Sequence, residues 1–324
     1  MQALQAANVE IVQRPLREPD GRVAAEVADS DVLITGGAVI DAEVVRQLGR
    51  IRFILRPYVG YDDIDVDAAS AEGILFANIP DTFVEEVANQ TMALLLGTNR
   101  KVLQMDRYVR EGTWSAGGRA REAARPIRRL SELTLGLVGF GNIARLVLAR
   151  AQPFGFRFLA SDPYVTSDAA AALGVELVEL DELLRQSDIV SLHVFLNNET
   201  RGLIDARRLA LMKPSAYIIN TSRGPVINEK ALIEALQNGR LAGAGLDVFE
   251  IEPVEAENPL LKMDNVLLAP HIASYSEEGD ARHQQRVAEI ALQVVQGGLP
   301  ERKVVVNKNL YDQYAANLEP AAAR

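Results

Sequence analysis

The sequence predicts an α/β protein made of two doubly wound domains, each with a parallel sheet. The chain has 324 residues, which is enough for two ordinary domains with their own cores. Short apolar runs alternate with amphipathic helical segments, a pattern that favours parallel βαβ units. A glycine cluster at residues 136–141 joins one apolar run to a helical segment, as in nucleotide-binding sheets. We therefore expect a Rossmann domain and a second, flavodoxin-like domain.

The first hundred residues give the first βα series. The predicted strands are Val9–Val12, Val32–Thr35, Phe53–Leu55 and Ile74–Phe76, and the helices between them are Ala42–Leu48 and Val66–Ala71. The chain opens with a helical pattern, Gln2–Ala7, where such domains usually begin with a strand. This predicts that the first strand is absent or that the start is truncated.

A long helix is predicted from Thr82 to about Arg107. Thr82 and Glu85 have capping-box spacing, and apolar positions recur beyond them without a clear stop at Gly97. A helix of this length can bridge two domains. The basic segment Arg110–Arg129 follows, and its charges favour a solvated face over a binding role.

A second βα series runs from residue 134. Its predicted strands are Thr134–Val138, Phe156–Ala160, Asp188–Leu192, Ala216–Asn220, Ala242–Asp247 and Asn265–Leu268, with helices such as Asp181–Gln186, Glu229–Gln237 and Asp280–Gln296. The tail Val304–Leu310 is expected to return to the first domain, and the alanine-rich end to fray. We therefore expect residues 1–98 and 297–324 to form one discontinuous domain and residues 99–296 to form the nucleotide-binding domain.

Composition excludes several functional classes. The net charge of −10 and the pI near 5.0 argue against a nucleic-acid partner. The chain has no cysteine, which excludes disulfides, thiolate catalysis and cysteine-ligated metals, and we expect no metal site. The N-terminus lacks the pattern of a signal peptide, and no apolar stretch approaches the ~18 residues of a membrane span. We expect a cytoplasmic protein without a membrane partner.

The glycine cluster matches the dinucleotide fingerprint G-x-G-x-x-[G/A]. Gly139 permits a sharp turn out of the strand, Gly141 lets the backbone approach a pyrophosphate, and Ala144 allows close packing of the helix. The amides of Asn142 and Ile143 open that helix, where an anion is favoured. Glycine clusters also mark plain turns, but the strand before and the helix after favour a nucleotide.

An acidic residue supports this interpretation. Asp162 follows Gly141 by 21 positions, at the end of the next predicted strand, where a carboxylate bonds the ribose hydroxyls. An Asp before a proline is also a common turn opener, so the assignment depends on the fingerprint. Because a carboxylate repels a 2′-phosphate and no arginine follows at once, the expected cofactor is NAD rather than NADP.

Three further polar residues follow predicted strands of the same sheet. They are Arg223, Glu252 and His271, and ligands bind beyond the carboxyl ends of such strands. Taken singly, Arg223 could be a surface arginine and His271 a structural histidine; their coincidence at one sheet edge favours a catalytic set.

The three side chains suit reduction of a 2-keto acid. A guanidinium at Arg223 can bind a carboxylate through two hydrogen bonds. His271 can protonate the developing alkoxide, and Glu252 can favour the imidazolium and hold its orientation. NADH would supply the hydride, and in the reverse direction neutral His271 would take the hydroxyl proton.

These motifs, in this order, resemble the D-isomer-specific 2-hydroxyacid dehydrogenase family. The resemblance covers nearly the whole chain, through Val59–Asp65, Asn78–Pro80, Val84–Ala88, Asn220–Gly224, Asp247–Pro253 and Pro270-His271. It implies catalytic roles for Arg223, Glu252 and His271, with Glu252 rather than Glu250 as the matching carboxylate. It implies further cofactor contacts at Thr91, Val194, Thr200, Thr221, Ser222, Asp247 and Ser274, and substrate contacts at Tyr58, Val59 and Gly60.

Within the family, some details are similar to the C-terminal-binding-protein corepressors, namely Ala124–Ile127, Tyr275–Glu277 and Val306–Lys308. The chain departs from the family in three places. Phe195 stands where proline is common, Tyr58 replaces a residue that is usually small, and Ser274 stands where the corepressor branch carries tryptophan. Tyr58 should therefore crowd or reshape the substrate pocket, and with Trp114 and Tyr275 it could form an apolar pocket.

The resemblance leaves two alternatives. One is D-3-phosphoglycerate dehydrogenase, which needs several cations for a phosphate; only Arg56 is a clear candidate near the substrate loop. The other is an NADH-sensing interaction protein like the corepressors. Formate and phosphite dehydrogenases fit less well, since the formate enzymes carry Gln in place of Glu252. The segment Arg110–Arg129 resembles the family's dimer arm, which implies a homodimer through the NAD-binding domain.

Overall fold

The computed structural model of the chain describes residues 4, 7, 9–13 and 27–318. The chain divides into two compact units, Met1–Phe83 with Ser276–Arg324, and Val84–Tyr275. The sequence-based boundaries lay at residues 98 and 296. The helix Val84–Asn99 instead packs on strands of the second unit, and the helix Glu277–Val295 packs on strands of the first. Each of these helices therefore belongs to the unit whose sheet it covers.

The first unit begins with a small parallel sheet. Its elements are β1 (Val32–Ile34), α1 (Ala42–Gln47), β2 (Phe53–Arg56), α2 (Val66–Ala71) and β3 (Leu75–Asn78), and the strands pair in the order β1-β2-β3. The side chain of Asp41 caps α1 by accepting from Val44 N at 3.0 Å, and that of Asp65 caps α2. These strands and helices agree with the sequence prediction within two residues at each end.

The prediction of a strand at Val9–Val12 is wrong. Residues 9–13 form no strand, and Val9 and Ile11 pack against a cluster of Leu4, Ala288 and Ala291, which includes two residues of the long helix Glu277–Val295. An alternating apolar pattern fits a helix surface as well as a sheet, and here the helix provides the contact. The helix predicted at residues 2–7 falls largely outside the described residues. In the described part of this unit the sheet has three strands, fewer than the flavodoxin-like expectation implied.

The second unit opens with two helices where the sequence predicts one. They are α3 (Val84–Asn99) and α4 (Val102–Arg110). Lys101 lies between them in the left-handed region, with φ +54°, which a continuous helix cannot include. Its Nζ donates to the carbonyl of Arg125 at 2.6 Å, a contact with distant chain that no local pattern reports. A short helix α5 (Ala120–Ala123) follows.

A seven-stranded parallel sheet forms the centre of this unit. Its strands are β4 (Thr134–Val138), β5 (Arg157–Ser161), β6 (Glu176–Leu177), β7 (Ile189–Leu192), β8 (Tyr217–Asn220), β9 (Gly243–Leu246) and β10 (Val266–Leu268), in the order β10-β9-β8-β7-β4-β5-β6. The connecting helices are α6 (Asn142–Ala151), α7 (Ser167–Ala171), α8 (Leu180–Gln186), α9 (Ala206–Leu209) and α10 (Glu229–Gln237). The six predicted strands are confirmed; β6 was missed because it has only two residues.

The strand order places a switch point at β4. The chain leaves β4 toward β5 on one side, and later returns to β7 on the other side of β4. Both faces are covered: Leu135 and Leu137 lie in a core with α3 and α6, while Leu192 and Leu246 lie in a second core with α10. In open α/β sheets the crevice beyond such a point binds the ligand. Gly139 and Gly141 directly follow β4.

The C-terminal part completes the first unit with α11 (Glu277–Val295) and α12 (Lys308–Leu318). Before α12 the chain runs along the small sheet, where Val305 forms an antiparallel bridge with Ala77. The side chain of Asn307 accepts from Phe76 N at 2.9 Å. The predicted return of the tail to the first domain is thus confirmed; residues 321–324 lie outside the described residues. None of the helices in the described ranges combines the length and apolar character needed to span a bilayer.

Candidate active site

Gly139 and Gly141 of the fingerprint are needed for different structural reasons. Gly139 has φ +83°, and a Cβ there would lie 2.7 Å from the carbonyl oxygen of His193 and 3.0 Å from a methyl group of Val194. At Gly141 a Cβ would meet no protein atom within 4 Å, so the backbone faces open space. Gly139 is therefore required by the fold, whereas Gly141 leaves room for a ligand.

Helix α6 begins directly after Gly141 and has no side-chain cap. Its first residues, Asn142 and Ile143, present main-chain amides and the positive end of a helix dipole to that open space. Ala144 is fully buried against the core, as its small size predicts. Together with Gly141 these amides form a cradle that fits the pyrophosphate of a dinucleotide.

Asp162 lies at the end of β5, beside the cradle. One carboxylate oxygen accepts from Phe140 N at 2.7 Å and the other from Tyr164 N at 2.8 Å. Arg145 also contacts Phe140. Its Nε donates to the carbonyl of Phe140 at 3.1 Å, and its guanidinium carbon lies 5.4 Å from the centre of the Phe140 ring. Arg145 thus braces the glycine loop, a role that the sequence analysis missed.

The loop after β8 is folded by Asn220. Its Nδ2 donates to the carbonyl of Arg223 at 2.9 Å, and its Oδ1 accepts from the amide and the hydroxyl of Ser222. The hydroxyl oxygens of Thr91, on α3, and Thr221 lie 2.8 Å apart and are buried. The structure therefore brings together Thr91 and Thr221, both expected at the cofactor. Asn220 belongs to the motif Asn220–Gly224, but no local pattern in the sequence predicts its role in folding this loop.

Gly224 explains how the loops after β8 and β9 meet. A Cβ at this position would lie 1.7 Å from the carbonyl oxygen of Phe249, so only a glycine permits the two backbones to pack. This approach places Arg223 on one loop and Glu252 on the other. A guanidinium nitrogen of Arg223 donates to the carbonyl of Ser222 at 2.9 Å.

Glu252 and His271 form a hydrogen-bonded pair. Oε2 of Glu252 lies 2.5 Å from Nδ1 of His271, and Oε1 accepts from Phe249 N at 2.9 Å. Partial burial disfavours the carboxylate, but the hydrogen bonds from His271 and Phe249 and the charge of Arg223 outweigh it, so the pKa of Glu252 lies below its ordinary value. Because Glu252 occupies Nδ1, Nε2 is the imidazole nitrogen left for a substrate.

The loop that carries His271 is held by Asp247. His271 has φ +53°, a left-handed conformation that is strained for a residue with a side chain. Its amide donates to the carbonyl of Asp247 at 2.7 Å, and the Asp247 carboxylate accepts from the amides of Ile272 and Ala273. Asp247 is fully buried, so its observed function is to brace this loop. Its contact with nicotinamide, implied by the resemblance, stays a prediction, as does that of half-buried Ser274 in the same loop.

The loop after β7 contains two expected cofactor residues. Val194 lies beside Gly139, whereas the Thr200 hydroxyl accepts from Asn197 N at 2.9 Å and folds its own loop. His193 precedes them, and burial lowers the pKa of His193 to about 3, which keeps the imidazole neutral. Val194 is thus at the cradle, and Thr200 shapes the loop beside it.

The predicted substrate loop lies in the first unit. Asn78 Nδ2 donates to the carbonyl of Val59 at 2.7 Å, and Arg56 Nε to the carbonyl of Gly60 at 3.1 Å. Among the described residues, no protein group accepts from the amides of Val59 and Gly60. These carbonyl contacts orient the loop and leave two adjacent amides for an anion.

Arg56 is buried, and its guanidinium forms hydrogen bonds and an ion pair with other groups of the protein. Besides Gly60, it donates to the carbonyl of Thr35 at 3.2 Å and forms an ion pair with Asp63.

The arginines of the basic segment Arg110–Arg129 are more exposed than Arg56. Arg119 and Arg129 are largely exposed, and Arg128 pairs with Asp188. The interpretation of that segment as a solvated face thus agrees with the structure.

A dinucleotide cradle at the switch point, with Arg, Glu and His on the three neighbouring loops, defines an NAD-dependent dehydrogenase. Residues 92–273 match the model of the NAD-binding domain of the D-isomer specific 2-hydroxyacid dehydrogenases. The chain belongs to this family, its cofactor is NAD, and the enzyme acts on 2-hydroxy acids.

Individual relatives agree with this assignment. The chain is 42% identical over 308 residues to a glyoxylate reductase of Korarchaeum cryptofilum, which covers 93% of this chain and 89% of the relative. It is 38% identical over 297 residues to a D-3-phosphoglycerate dehydrogenase of Methanocaldococcus jannaschii, covering 91% of this chain but only 55% of that protein. The crystal structure of a glyoxylate reductase from Paecilomyces thermophila superposes with a TM-score of 0.83 at 30% identity, covering 95% and 94% of the two chains. The corepressor-like branch stays a prediction.

Proposed function

We propose that this dehydrogenase reduces a small 2-keto acid without a phosphate group, such as glyoxylate, with NADH as the hydride donor. The observation that carries the proposal is the pairing of Glu252 Oε2 with His271 Nδ1 at 2.5 Å. It fixes the imidazole with Nε2 free to protonate an alkoxide, while Arg223 lies on the neighbouring loop. Glyoxylate reductase is also the name of the relative at 42% identity.

Each protein group has one task in the proposed reaction. The family resemblance implies that the Val59 and Gly60 amides bind the substrate carboxylate. It also implies that Arg223 binds the carboxylate, and a guanidinium there can polarise the keto oxygen. Bound NADH supplies the hydride to the keto carbon. His271 donates its Nε2 proton to the oxygen as the hydroxyl forms, and Glu252 stabilises the imidazolium beforehand. Oxidation of the hydroxy acid uses the same groups in reverse, with neutral His271 accepting the proton.

The state of Arg56 argues against a phosphorylated substrate. A phosphate dianion requires cations with free donors, and Arg56 is the cation closest in sequence to the substrate loop. Its guanidinium instead bonds to Asp63, the carbonyl of Thr35 and the carbonyl of Gly60. A phosphate would have to break this buried ion pair. We therefore favour a reductase of small 2-keto acids over D-3-phosphoglycerate dehydrogenase.

We propose a homodimer that forms through the NAD-binding domain. Helix α4 has no buried residue, although Val102 and Val109 are apolar and about half exposed. Trp114, just beyond the helix, is 58% exposed. A second copy would cover these side chains. Light scattering of the purified protein should give twice the 35.4 kDa chain mass, and Trp114→Arg should lower it.

We also place the enzyme in the cytoplasm. Its cofactor is used and regenerated by intracellular metabolism, and the cysteine-free sequence is compatible with a reducing compartment. Fractionation of the source cells should recover the NADH-dependent activity with cytosolic markers; recovery with a secreted fraction would contradict this location.

The proposed function is tested with a substrate panel. NADH oxidation is followed at 340 nm with glyoxylate, hydroxypyruvate, pyruvate, phenylpyruvate and 3-phosphohydroxypyruvate. We expect the highest kcat/KM with one of the first three acids, and a far lower value with the phosphorylated acid. A preference for 3-phosphohydroxypyruvate would replace the small-acid assignment with phosphoglycerate dehydrogenase. If none of the acids is turned over, an NADH-sensing interaction protein becomes the favoured interpretation.

A further inference from the structure

Tyr58 is the residue immediately before the two amides of the substrate loop. Its side chain is 45% exposed, which is unusual for a ring that makes ordered aromatic contacts. The ring stacks on that of His283, with centroids 5.5 Å apart and planes 15° from parallel. His283 lies on α11, more than two hundred residues further along the chain. The ring of Tyr58 is therefore packed on one face, while the residue as a whole is about half exposed.

Gly36 is a second neighbour of the Tyr58 ring within the first unit. Gly36 follows β1, and a Cβ at this residue would lie 3.4 Å from Cε2 of Tyr58, an ordinary van der Waals distance. The ring therefore lies beside the loop that follows β1 as well as beside His283.

His283 is itself held firmly. It is 8% exposed, and its ring lies 4.8 Å from that of Phe83. Its Nδ1 is buried and has no hydrogen-bond partner among the described residues. Burial lowers the pKa of His283, and Asp280 only partly opposes this, so a neutral imidazole stacks on Tyr58. The ring contacts with Tyr58 and Phe83 therefore position the imidazole.

We propose that Tyr58 limits the size of the substrate side chain and that His283 is the positioning residue that holds its ring in place. This inference rests on the proposed function, since it takes the substrate carboxylate to bind at Val59 and Gly60. In a 2-keto acid, the carbon that bears the side chain is bonded directly to the carboxylate. That carboxylate is then held next to Tyr58. A fixed ring excludes a bulky substituent there, whereas the hydrogen atom of glyoxylate fits.

The test compares kcat/KM for phenylpyruvate and glyoxylate in the holoenzyme with NADH. Tyr58→Ala should raise the phenylpyruvate-to-glyoxylate ratio by about tenfold or more, the scale on which a pocket discriminates small differences in volume. Tyr58→Phe keeps the ring and should leave the ratio within about twofold. An unchanged ratio in Tyr58→Ala overturns the inference while the function stands. No turnover by the wild type with any keto acid overturns both.

The role of His283 has its own readout. His283→Leu should shift the ratio in the same direction by roughly threefold, and His283→Phe should restore it, because an aromatic ring can replace the stack. In the double variant Tyr58→Ala/His283→Leu, the second change should add nothing, since it acts only through Tyr58. Additive effects would assign His283 a merely structural role.

Histidine NMR gives a measurement that is independent of activity. The chain has three histidines, so the ring protons of His283 can be assigned by substitution. Stacking on Tyr58 should shift these protons upfield, and Tyr58→Ala should move them back while Tyr58→Phe does not. If Tyr58→Ala leaves the His283 signals in place, the stack is absent in solution and the inference fails.

Discussion

Glu252 and His271 lie on loops that follow neighbouring strands, and their side chains meet at 2.5 Å between Oε2 and Nδ1. Main-chain hydrogen bonds hold both loops in place. Glu252 accepts from the amide of Phe249, and His271 is anchored through Asp247. The pair is therefore positioned by main-chain contacts before any substrate binds, which is what a proton donor with a defined direction requires.

The two fingerprint glycines should respond differently to the same added methyl group. Gly139→Ala forces a Cβ to 2.7 Å from the His193 carbonyl oxygen at a positive φ, so we expect a loss of about 1–3 kcal/mol of unfolding free energy. Gly141→Ala meets no protein atom within 4 Å and is the matched control. It should keep stability but weaken NADH binding. Urea unfolding and NADH fluorescence titration measure the two effects; equal destabilisation would contradict the assignment.

Asp162 should set the preference for NADH over NADPH. Asp162→Ser removes the charge that repels a 2′-phosphate but keeps an oxygen for the Phe140 amide, which the wild-type carboxylate accepts at 2.7 Å. We expect kcat/KM for NADH to fall and the NADPH-to-NADH ratio to rise by about tenfold, or ~1.4 kcal/mol. If the wild type uses NADPH as well as NADH, Asp162 does not discriminate between the cofactors.

Asp247 should matter for both stability and turnover. Asp247→Ala removes the acceptor from the amides of Ile272 and Ala273, and the loss at the buried Ala273 amide should cost about 1–3 kcal/mol of unfolding free energy. The left-handed backbone of His271 would then relax and misplace the imidazole, so kcat should fall as well. Asp247→Asn keeps one acceptor oxygen and should lose less. Wild-type kcat in Asp247→Ala would show that the brace is not needed for the reaction.

The Glu252–His271 pair should give a pH-dependent contribution to stability. The pKa of Glu252 is lowered in the folded protein from its ordinary 4.5, so the folded state favours the carboxylate. This contribution is fully present above that ordinary value and is lost as the pH falls through the lowered folded value. Glu252→Gln should therefore be less stable than the wild type at pH 7, and the difference should shrink below pH ~4. A difference that grows toward acid pH would contradict this sign.

Much of the fold could be predicted because its signals are local. The buried strands of the nucleotide-binding sheet appear as short apolar runs, and Gly139, Gly141 and Asp162 keep the spacing that the cradle imposes. Arg223, Glu252 and His271 could be proposed as a catalytic set because each lies in a loop that follows such a run. These features depend on a few neighbouring residues, which a single sequence contains in full.

The features that escaped prediction depend on distant contacts. Lys101 breaks the expected long helix while its side chain bonds to Arg125, and Val9 and Ile11 pack on α11 instead of forming a strand. The Thr91–Thr221 hydrogen bond and the Tyr58–His283 stack join residues more than a hundred positions apart. No local pattern encodes such pairs, because either partner alone is compatible with many environments.

Proton donation by His271 to the substrate is tested with the variant His271→Ala. The pre-steady-state rate of NADH oxidation and the Kd of NADH are measured on the same protein. We expect the rate to fall by about 10²–10⁴-fold, the usual contribution of a positioned acid, while the Kd of NADH changes little. A rate within twofold of the wild type would contradict the role of His271 as the proton donor.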